Sequence, residues 1–397
     1  MGLKILFAMR DALPPFRVDV KMLFGQYLFK KGISTHLVGR SKVKAVSAES
    51  WPAGEMSISA LDGEGVIKTF YCLLLESFFL LWYGRTADII QVRDRIRLLP
   101  AAWLSSFVWR KPLVYWVSFP IVEGYRKVFL DYNQGQFLRK FILNIRYCFS
   151  KVIFYRIMPF CCDYIFVQSS AMKEEFSLLG ISETKMMPVP MGVDLEMFSI
   201  TRLNVNDKED WPLKLCYLGT VAKARQSDFI LDVLKGVLQH IPDAQLIIVG
   251  DALTAGEQSW FRSEIDARGL AGSIELTGWL PQSEGISLVA NSHIGLSPIP
   301  RGALFDVSSP TKAVEYLACG IPCIGNDIPD QKLVLDESEA GLCVEMNVNS
   351  FVTAIVDLWH QPHEREVMSV KAKNYVLHNR NYTVLSESVF LKYHELI

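Results

Sequence analysis

The alternation of strands and helices in this chain starts twice, and this restart constrains the fold more than any other feature. Short apolar runs separated by helical stretches predict parallel strands joined by crossover helices. The runs in the first half are Lys4–Met9, Ser34–Val38, Asp88–Val92, Pro112–Val117, Asp163–Gln168 and Met186–Val189. Those in the second half are Leu213–Gly219, Gln245–Gly250, Ile274–Gly278, His293–Ser297 and Ile321–Gly325. We therefore predict an α/β protein with two Rossmann-like domains facing across a cleft, which is the default ligand site.

The domain limits follow from the same pattern. A length of 397 residues fits two domains, and the polar segment Thr201–Trp211 has the composition of a linker. We place the domains at residues 1–198 and 199–378. The remaining segment, 379–397, has a helical pattern, and we expect it to pack back on the first domain.

The apolar runs are too short to predict a membrane-spanning helix. Mean hydropathy is +0.20, but the longest run, Thr69–Tyr83, contains Glu76 and stops at Arg85, whereas a span needs roughly 18–20 apolar residues. We interpret this run as a buried helix. The run Ile5–Met9 is also too short for a signal peptide. Eight cysteines without metal-type spacing indicate reduced core residues in a cytosolic protein.

The net charge of −1 hides an uneven distribution. Residues 1–200 hold 25 Lys and Arg against 17 Asp and Glu, a formal charge of +8, and residues 201–397 carry −9. Residues 126–156 include seven basic residues and one acidic residue, and Gly135–Pro159 has the periodicity of a helix with one cationic and one apolar face. This segment predicts contact with an anionic membrane surface. The alternative is a helix whose apolar face packs on its own domain; nucleic-acid binding is not expected, because no stacking platform or known motif is present.

One candidate phosphate-binding segment is Gly219–Arg225, which follows a predicted strand and precedes a helix. Free N–H groups at a helix N-terminus, together with Lys223 and Arg225, favour the oxygens of a diphosphate. The same residues are equally typical of exposed surface cations.

A second candidate is Pro298–Gly325, a loop rich in Ser and Pro that runs into a short helix, Thr311–Cys319. Glu315 lies one turn inside this helix, where a carboxylate can accept two hydrogen bonds from sugar hydroxyls. Hydroxyl and N–H groups at the helix start are available to an anion; they belong to Ser308, Ser309 and Thr311. Alternatively, Glu315 is an ordinary helix glutamate or pairs with Lys312 or Lys223.

Several motifs, in their order and spacing, resemble the retaining glycosyltransferases of family four. They are Asp163–Ser170 (DYIFVQSS), Pro190–Phe198 (PMGVDLEMF), 217–219 (YLG), 248–251 (IVGD), 276–281 (LTGWLP), Gly295–Pro298, and the PTK…EY…G…P block from Pro310 to Pro322. The resemblance covers nearly the whole chain. It implies the GT-B fold and transfer of a sugar from a nucleotide donor with retained anomeric configuration. The donor would lie on the second domain and the acceptor on the first.

The resemblance also implies roles for particular residues. Arg225 and Lys223 would grip the diphosphate, and Glu315, matching the second Glu of an E-x7-E motif, would hold the ribose hydroxyls; these three are the expected catalytic residues. The other expected donor-binding residues are Gly219, Thr220, Gly278, Trp279, Leu280, Asp306, Val307, Ser308, Ser309, Pro310, Thr311 and Lys312. Cations and helix N-termini can stabilise a leaving diphosphate, so no metal and no cofactor is expected.

Four features depart from the family pattern. Thr220 stands where the first basic residue of the phosphate pair is expected, with Lys223 as its replacement. Val307 stands where the first Glu of the motif is expected, with Asp306 beside it. The stretch Trp116–Pro120 lacks the family's His, and Arg10–Arg17 replaces a glycine pair. A front-face mechanism, in which the donor phosphate takes the acceptor proton, requires no protein base.

Candidate acceptor-side residues lie at the predicted carboxyl ends of strands in the first domain. They are Arg10, Arg17, Arg93, Asp94, Ser118 and Phe119. The sequence thus predicts a transferase that uses a UDP-sugar, or alternatively a GDP-sugar, and a glycan or polyprenyl-diphosphate-linked acceptor. We expect it in the cytoplasm, peripheral on the inner face of the cytoplasmic membrane. The alternatives are a GT-B enzyme with a soluble acceptor and a catalytically silent partner that binds the nucleotide sugar.

Overall fold

The computed structural model describes residues 2–15, 17–41, 51–61, 65–132, 137–198 and 212–397. The chain divides into two compact units. The first unit consists of Met1–Pro190 and Tyr382–Ile397, and the second of Met191–Asn381. The chain thus passes between units at residues 190 and 381, where the sequence places the limits at 198 and 378. The predicted linker, Thr201–Trp211, lies outside the described residues.

The first unit contains a parallel sheet of seven strands. They are β1 (Leu3–Met9), β2 (Ile33–Ser41), β3 (Gly54–Leu61), β4 (Ile89–Arg93), β5 (Leu113–Val117), β6 (Tyr164–Val167) and β7 (Met186–Pro188). Their order in the sheet is β3-β2-β1-β4-β5-β6-β7. The first two strands pair in parallel, from Leu3 opposite Ile33 onward. Because β1 and β4 are neighbours, the chain reverses its direction of travel across the sheet between them, which opens a crevice at their carboxyl ends.

Helices connect these strands. They are α1 (Leu28–Lys30), α2 (Val66–Gly84), α3 (Leu99–Trp109), α4 (Ile121–Leu130), α5 (Phe137–Val152), α6 (Met158–Cys161) and α7 (Ser170–Leu178). Two segments with wider π-type turns, Asp19–Tyr27 and Ile153–Ile157, precede α1 and α6. Gly32 ends the first helical stretch with a φ of +91°, a left-handed conformation that glycine commonly adopts after a helix.

The C-terminal helix α15 (Tyr382–Glu395) belongs to the first unit, as its periodicity predicts. Tyr382, Val389 and Tyr393 are buried in the core that also holds the central strands. The hydroxyl of Tyr393 donates a hydrogen bond to Oε1 of Gln91 on β4. Residues 302 positions apart in the sequence therefore share one core.

Helix α2 corrects the interpretation of Thr69–Tyr83 as a buried helix. Its buried side chains form a narrow stripe at i, i+4 spacing: Cys72, Glu76 and Leu80, followed by Gly84. Large apolar side chains on its other faces are exposed: Ile67, Phe70, Tyr71, Leu74, Phe78 and Trp82. Among the described helices, Ile67–Gly84 passes the length and hydropathy limits for crossing a membrane, and 22% of it is buried. An apolar helix can thus contact its own unit along one stripe only.

The second unit contains a parallel sheet of six strands. They are β8 (Lys214–Leu218), β9 (Gln245–Val249), β10 (Ile274–Leu276), β11 (Ile294–Ser297), β12 (Cys323–Gly325) and β13 (Gly341–Cys343), in the order β10-β9-β8-β11-β12-β13. The helices are α8 (Phe229–Val237), α9 (Ala255–Arg268), α10 (Gln282–Ala290), α11 (Thr311–Ala318), α12 (Pro329–Ser338), α13 (Val348–Trp359) and α14 (Pro362–Asn379). Two apolar clusters of buried residues make up its core. Both halves of the chain are therefore Rossmann-like, as predicted.

Candidate functional site

Three glycines lie where β8, β9 and β10 end. Gly219, Gly250 and Gly278 have φ values of +129°, +133° and +69°, a region that L side chains avoid. The N–H of Gly219 donates to the carbonyl of Val249 at 2.9 Å, and a Cβ on Gly250 would lie 2.4 Å from the carbonyl oxygen of Gly219. Because these positions carry no side chains, the carboxyl edge of the sheet exposes backbone to a ligand.

Lys312, on the first turn of α11, places a cation at this edge. Its Nζ lies 4.9 Å from the ring centre of Tyr217, and a Cβ added at Gly219 would be 3.7 Å from that Nζ. Burial raises the pKa of the Tyr217 phenol, but the positive charges of Lys312 and Arg225 outweigh it and lower that pKa below its usual value. The end of β8 is therefore a strongly cationic environment, which suits phosphate oxygens.

Lys223 and Arg225 share a single 3-10 turn between β8 and α8. Both side chains are exposed, and Nζ of Lys223 lies 5.2 Å from the ring centre of Trp260. The two predicted diphosphate ligands thus lie on the same connection as Gly219. Of the basic residues named here, Lys312 is the buried one.

Glu315 lies one helical turn after Lys312 on α11 and is partly buried. Burial raises the pKa of its carboxyl group, while a hydrogen bond with Thr311 and the charge of Lys312 act in the opposite direction. One face of α11 therefore presents a cation and a carboxylate in consecutive turns. Side chains three residues apart lie on the same helical face, so one ligand can contact both.

The hydroxyls of Ser308 and Ser309 are used inside the unit, so the expectation that they face an anion is wrong. Oγ of Ser308 donates to the carbonyl of Phe305 at 2.6 Å. Oγ of Ser309 donates to Asp330 at 2.6 Å and accepts from the N–H of Met191 at 2.8 Å. Their backbone groups, which the sequence also names, remain predicted ligands.

The neighbouring carboxylate of Asp306 is bound by the chain itself. Oδ1 of Asp306 accepts from Nε of Arg301 at 2.9 Å and from the N–H of Gly302 at 3.0 Å. Val307 is buried. Asp306 therefore fixes the shape of the loop before α11. A further predicted donor-binding residue, Trp279, lies on the loop after β10 and is 57% exposed.

Two residues that hold the site in place, Asp330 and Tyr316, were not among the site residues predicted from the sequence. Asp330 forms a buried ion pair with Arg380 at 2.7 Å, which fixes the acceptor of the Ser309 hydrogen bond. The hydroxyl of Tyr316 accepts from the N–H of Leu218 at 2.8 Å and donates to the carbonyl of Leu296 at 3.0 Å. Two sequence features could have indicated these contacts. Asp330 is an acidic residue in the first turn of α12, and Tyr316 belongs to the PTK…EY block.

The acceptor-side candidates of the first unit form a buried polar network. Nη2 of Arg93 donates to Asp19 at 2.5 Å, and its Nε donates to Oγ of Ser118 at 3.3 Å. Asp94 accepts from the N–H of Ser118 at 3.0 Å. Burial raises the pKa of Asp19, but Arg93 and Arg17 outweigh it and lower that pKa below its usual range. Arg93 is thus neutralised within the fold.

The remaining candidates of this set lie nearer the surface. Arg10 is exposed and lines a pocket of the first unit, which the buried Asp94 also borders. Phe119 is 37% exposed. Arg17 lies beside Asp19, with Nε and Oδ1 3.3 Å apart. Within the described parts of the chain, no group of three or more His, Cys, Asp or Glu side chains has the arrangement of a metal site.

Comparisons with known proteins agree with this geometry. Residues 212–361 match the family described as Glycosyl transferases group 1. A GDP-mannose-dependent alpha-(1-6)-phosphatidylinositol dimannoside mannosyltransferase of Mycobacterium tuberculosis is 22% identical over 218 residues, covering 53% of each chain. An Escherichia coli alpha-1,3-galactosyltransferase that uses UDP-Gal and GlcNAc-diphosphoundecaprenol is 23% identical, covering 49% of this chain and 50% of the relative. The matched part therefore spans about half the length of these relatives.

Solved structures show the fold across the whole chain. The crystal structure of Anabaena HepE in complex with UDP matches with a TM-score of 0.73 and 14% identity, covering 99% of this chain and 100% of the other. The predicted GT-B class of two Rossmann-like domains is confirmed by this likeness and by the two parallel sheets. The chain thus has the GT-B fold, and its residues 212–361 match the model of the family described as Glycosyl transferases group 1.

Proposed function

We propose that this protein is a retaining glycosyltransferase that moves a sugar from a nucleotide-sugar donor to a lipid-linked or surface-polysaccharide acceptor. The observation that carries the proposal is the buried Lys312 ammonium beside Gly219, at the carboxyl edge of the sheet in the family domain. A UDP-sugar is the favoured donor and a GDP-sugar the alternative. Relatives named for each of these nucleotides support both.

The proposed chemistry follows from the charges at that edge. The bond between the anomeric carbon and the donor diphosphate breaks, and the acceptor oxygen bonds to the same face of the sugar. The acceptor proton passes to a donor phosphate oxygen, so a nucleoside diphosphate leaves and no protein base is needed. Lys312, Arg225 and Lys223 would stabilise the charge on the departing diphosphate, and in this proposal no metal is required.

A thermal-shift panel of UDP-, GDP- and ADP-sugars tests the donor site. At a concentration 100 times its dissociation constant, the correct donor should stabilise the wild-type chain by about 2.7 kcal/mol. Glu315→Ala should abolish the shift, because the resemblance assigns Glu315 to the ribose hydroxyls. Glu366→Ala, at an exposed position on α14, is the matched control. If no nucleotide sugar stabilises the wild type, the donor site is misplaced and the silent-partner alternative gains support.

The proposed membrane contact is supported by the exposed surface of α5. Phe137, Phe141 and Phe149 are 84%, 50% and 67% exposed, and Ser150 is the buried residue of this helix. The alternative in which the apolar face of the helix packs on its own unit is therefore wrong. An amphipathic helix with its apolar face in solvent suits insertion at a lipid interface.

Vesicle binding tests this contact. Replacing Arg139 and Lys140 together by glutamine should weaken binding to phosphatidylglycerol vesicles about 30-fold, since each basic residue near an anionic surface contributes about 1 kcal/mol, which is about fivefold in affinity. Binding is measured by co-sedimentation at low and high salt. Lys21→Gln with Lys30→Gln removes two exposed charges elsewhere on the same unit. Equal losses for the two double variants would mean that net charge, and not this helix, governs binding.

A further inference from the structure

A pocket in the first unit lies at the carboxyl edge of its sheet and is lined by arginines. Its volume is about 360 Å³, within the range of small-ligand sites. The charged side chains around it are Arg10, Arg40, Arg95, Arg97, Arg146 and Asp94. Arg10 follows β1, Arg40 lies near the end of β2, and Arg95 lies two residues after the end of β4. Basic residues at the ends of three strands therefore lie around the same pocket.

A buried carboxylate beneath the pocket fixes two of these arginines. Glu76 of α2 is fully buried. Nη1 of Arg95 donates to Glu76 at 3.1 Å and to the carbonyl of Met9 at 3.2 Å. Nε of Arg40 lies 3.8 Å from Glu76 and makes no hydrogen bond with the part of the chain that the structure describes. One carboxylate cannot neutralise both guanidinium groups, so donors and positive charge remain for a ligand.

The other arginines of the pocket are preorganised or accessible. Arg146 of α5 is stacked on Tyr125 of α4, with its guanidinium carbon 4.0 Å from the ring centre. Arg97 and Arg10 are exposed. Asp94 is the single acidic side chain of the lining, and it accepts a hydrogen bond from the N–H of Ser118 at 3.0 Å. The excess of cationic donors selects a multiply charged oxyanion.

Exposed apolar side chains stand beside the pocket on two of the helices that line it. Leu73 of α2 lines the pocket, and the next residue, Leu74, is 55% exposed. On α5, Ile145 is 51% exposed and directly precedes Arg146. Phe149, which precedes the lining residue Ser150, is 67% exposed. The two helices that line this pocket thus also carry exposed apolar side chains, which an amphiphilic ligand requires.

We propose that this pocket binds the phosphate or diphosphate group of a membrane-embedded acceptor lipid, while the flanking residues of α2 and α5 contact its hydrocarbon chain. The proposal deepens the proposed function and rests on it only in naming the ligand as the acceptor. Arg40, Arg95, Arg97 and Arg146 then become recognition residues for that anion. Arg93, by contrast, serves the fold through Asp19.

The test measures binding without donor or transfer, so its result is independent of the donor-site experiment. All chains carry Lys223→Gln and Arg225→Gln, which reduces anion binding in the second unit. The pocket variant adds Arg97→Gln and Arg146→Gln. The matched control adds Arg126→Gln and Arg156→Gln, exposed residues of the same cationic segment that do not line the pocket. The probes are inorganic pyrophosphate, by calorimetry, and phosphatidylcholine vesicles containing a polyprenyl diphosphate, by flotation.

We expect the pocket variant to lose about 10- to 150-fold in affinity for the polyprenyl diphosphate vesicles for each arginine that bonds the anion. The control should stay within about twofold of its parent, because phosphatidylcholine has no net charge and a low mole fraction of polyprenyl diphosphate gives the vesicle surface little general attraction for Arg126 or Arg156. The proposal is also supported if the pocket variant loses affinity for the vesicles while neither variant nor their parent binds pyrophosphate measurably. In that case the hydrocarbon part of the lipid contributes much of the affinity. A loss for pyrophosphate alone would overturn the lipid assignment and indicate a soluble anion. Equal losses in both variants, or none, would overturn the pocket itself.

Discussion

Replacing Lys312 by methionine is expected to weaken binding of the donor's nucleoside diphosphate by about 10- to 150-fold. A hydrogen bond to a charged group contributes about 1.5–3 kcal/mol, and Lys312 lies beside the Gly219 turn, where the diphosphate is proposed to bind. Methionine retains most of the length and apolar volume of the lysine stem, so packing against Tyr217 is preserved. The dissociation constants of UDP and GDP, measured by calorimetry, give the effect.

Two comparisons isolate the phosphate contact. The affinity for the free nucleoside should change little, because it carries no charge for Lys312 to bind. Lys332→Met, at an exposed position on α12, should leave both affinities unchanged. An equal loss for nucleoside and nucleoside diphosphate would mean that the site has collapsed. An unchanged affinity for the diphosphate would show that Lys312 does not reach it.

The second large effect is on stability. Asp330→Ala should lower the free energy of unfolding of the second unit by about 3–5 kcal/mol, because it leaves Arg380 as an uncompensated buried charge. Ser309 also loses its acceptor, so the loop before α11 should become mobile. Urea denaturation gives the free energy, and hydrogen exchange of peptides covering residues 305–335 locates the change.

A nearby ion pair supplies the matched control. Lys332 and Asp336 lie on the same helix, with Nζ of Lys332 2.6 Å from Oδ2 of Asp336 and both side chains about half exposed. Lys332→Ala should leave the free energy of unfolding close to that of the wild type, because solvent screens such pairs. If Asp330→Ala were as mild as Lys332→Ala, the proposed anchoring of the Ser309 loop would be contradicted.

The sequence predicted most strands of both sheets because buried parallel strands are continuous apolar runs. It missed β3 and β13, which are edge strands with one neighbour each. The segment Gly54–Leu61 mixes polar and apolar residues, since an edge position is less buried than a central one. The sequence also misjudged α2. Periodicity shows which residues share a face of a helix, but it does not show which of those faces pack against the rest of the protein. Because α2 is apolar on nearly all its faces, its sequence does not reveal which one is buried.

The candidate donor site was predictable only where it depends on local chain geometry. The Gly219 turn was recognisable because it follows a predicted parallel strand and precedes a helix, whereas Gly278 was named only through the family resemblance. The hydrogen bond of the Ser309 hydroxyl could not be predicted, because its acceptor, Asp330, lies 21 residues away in the sequence. Asp330 is itself held by Arg380, a further 50 residues along the chain. The arginine pocket likewise draws on separate strand ends and helices, a convergence that only the folded topology reveals.

The return of α15 to the first unit has a consequence for biosynthesis. The core around Tyr382 and Tyr393 cannot close until residues 382–395 have left the ribosome, by which time the whole second unit has been translated. At typical elongation rates this is a delay of roughly 10–40 s. During that interval the nascent first unit exposes the groove that α15 will fill, in addition to the apolar helices it keeps exposed. Chaperones or the membrane surface itself are then the available partners for an unfinished chain.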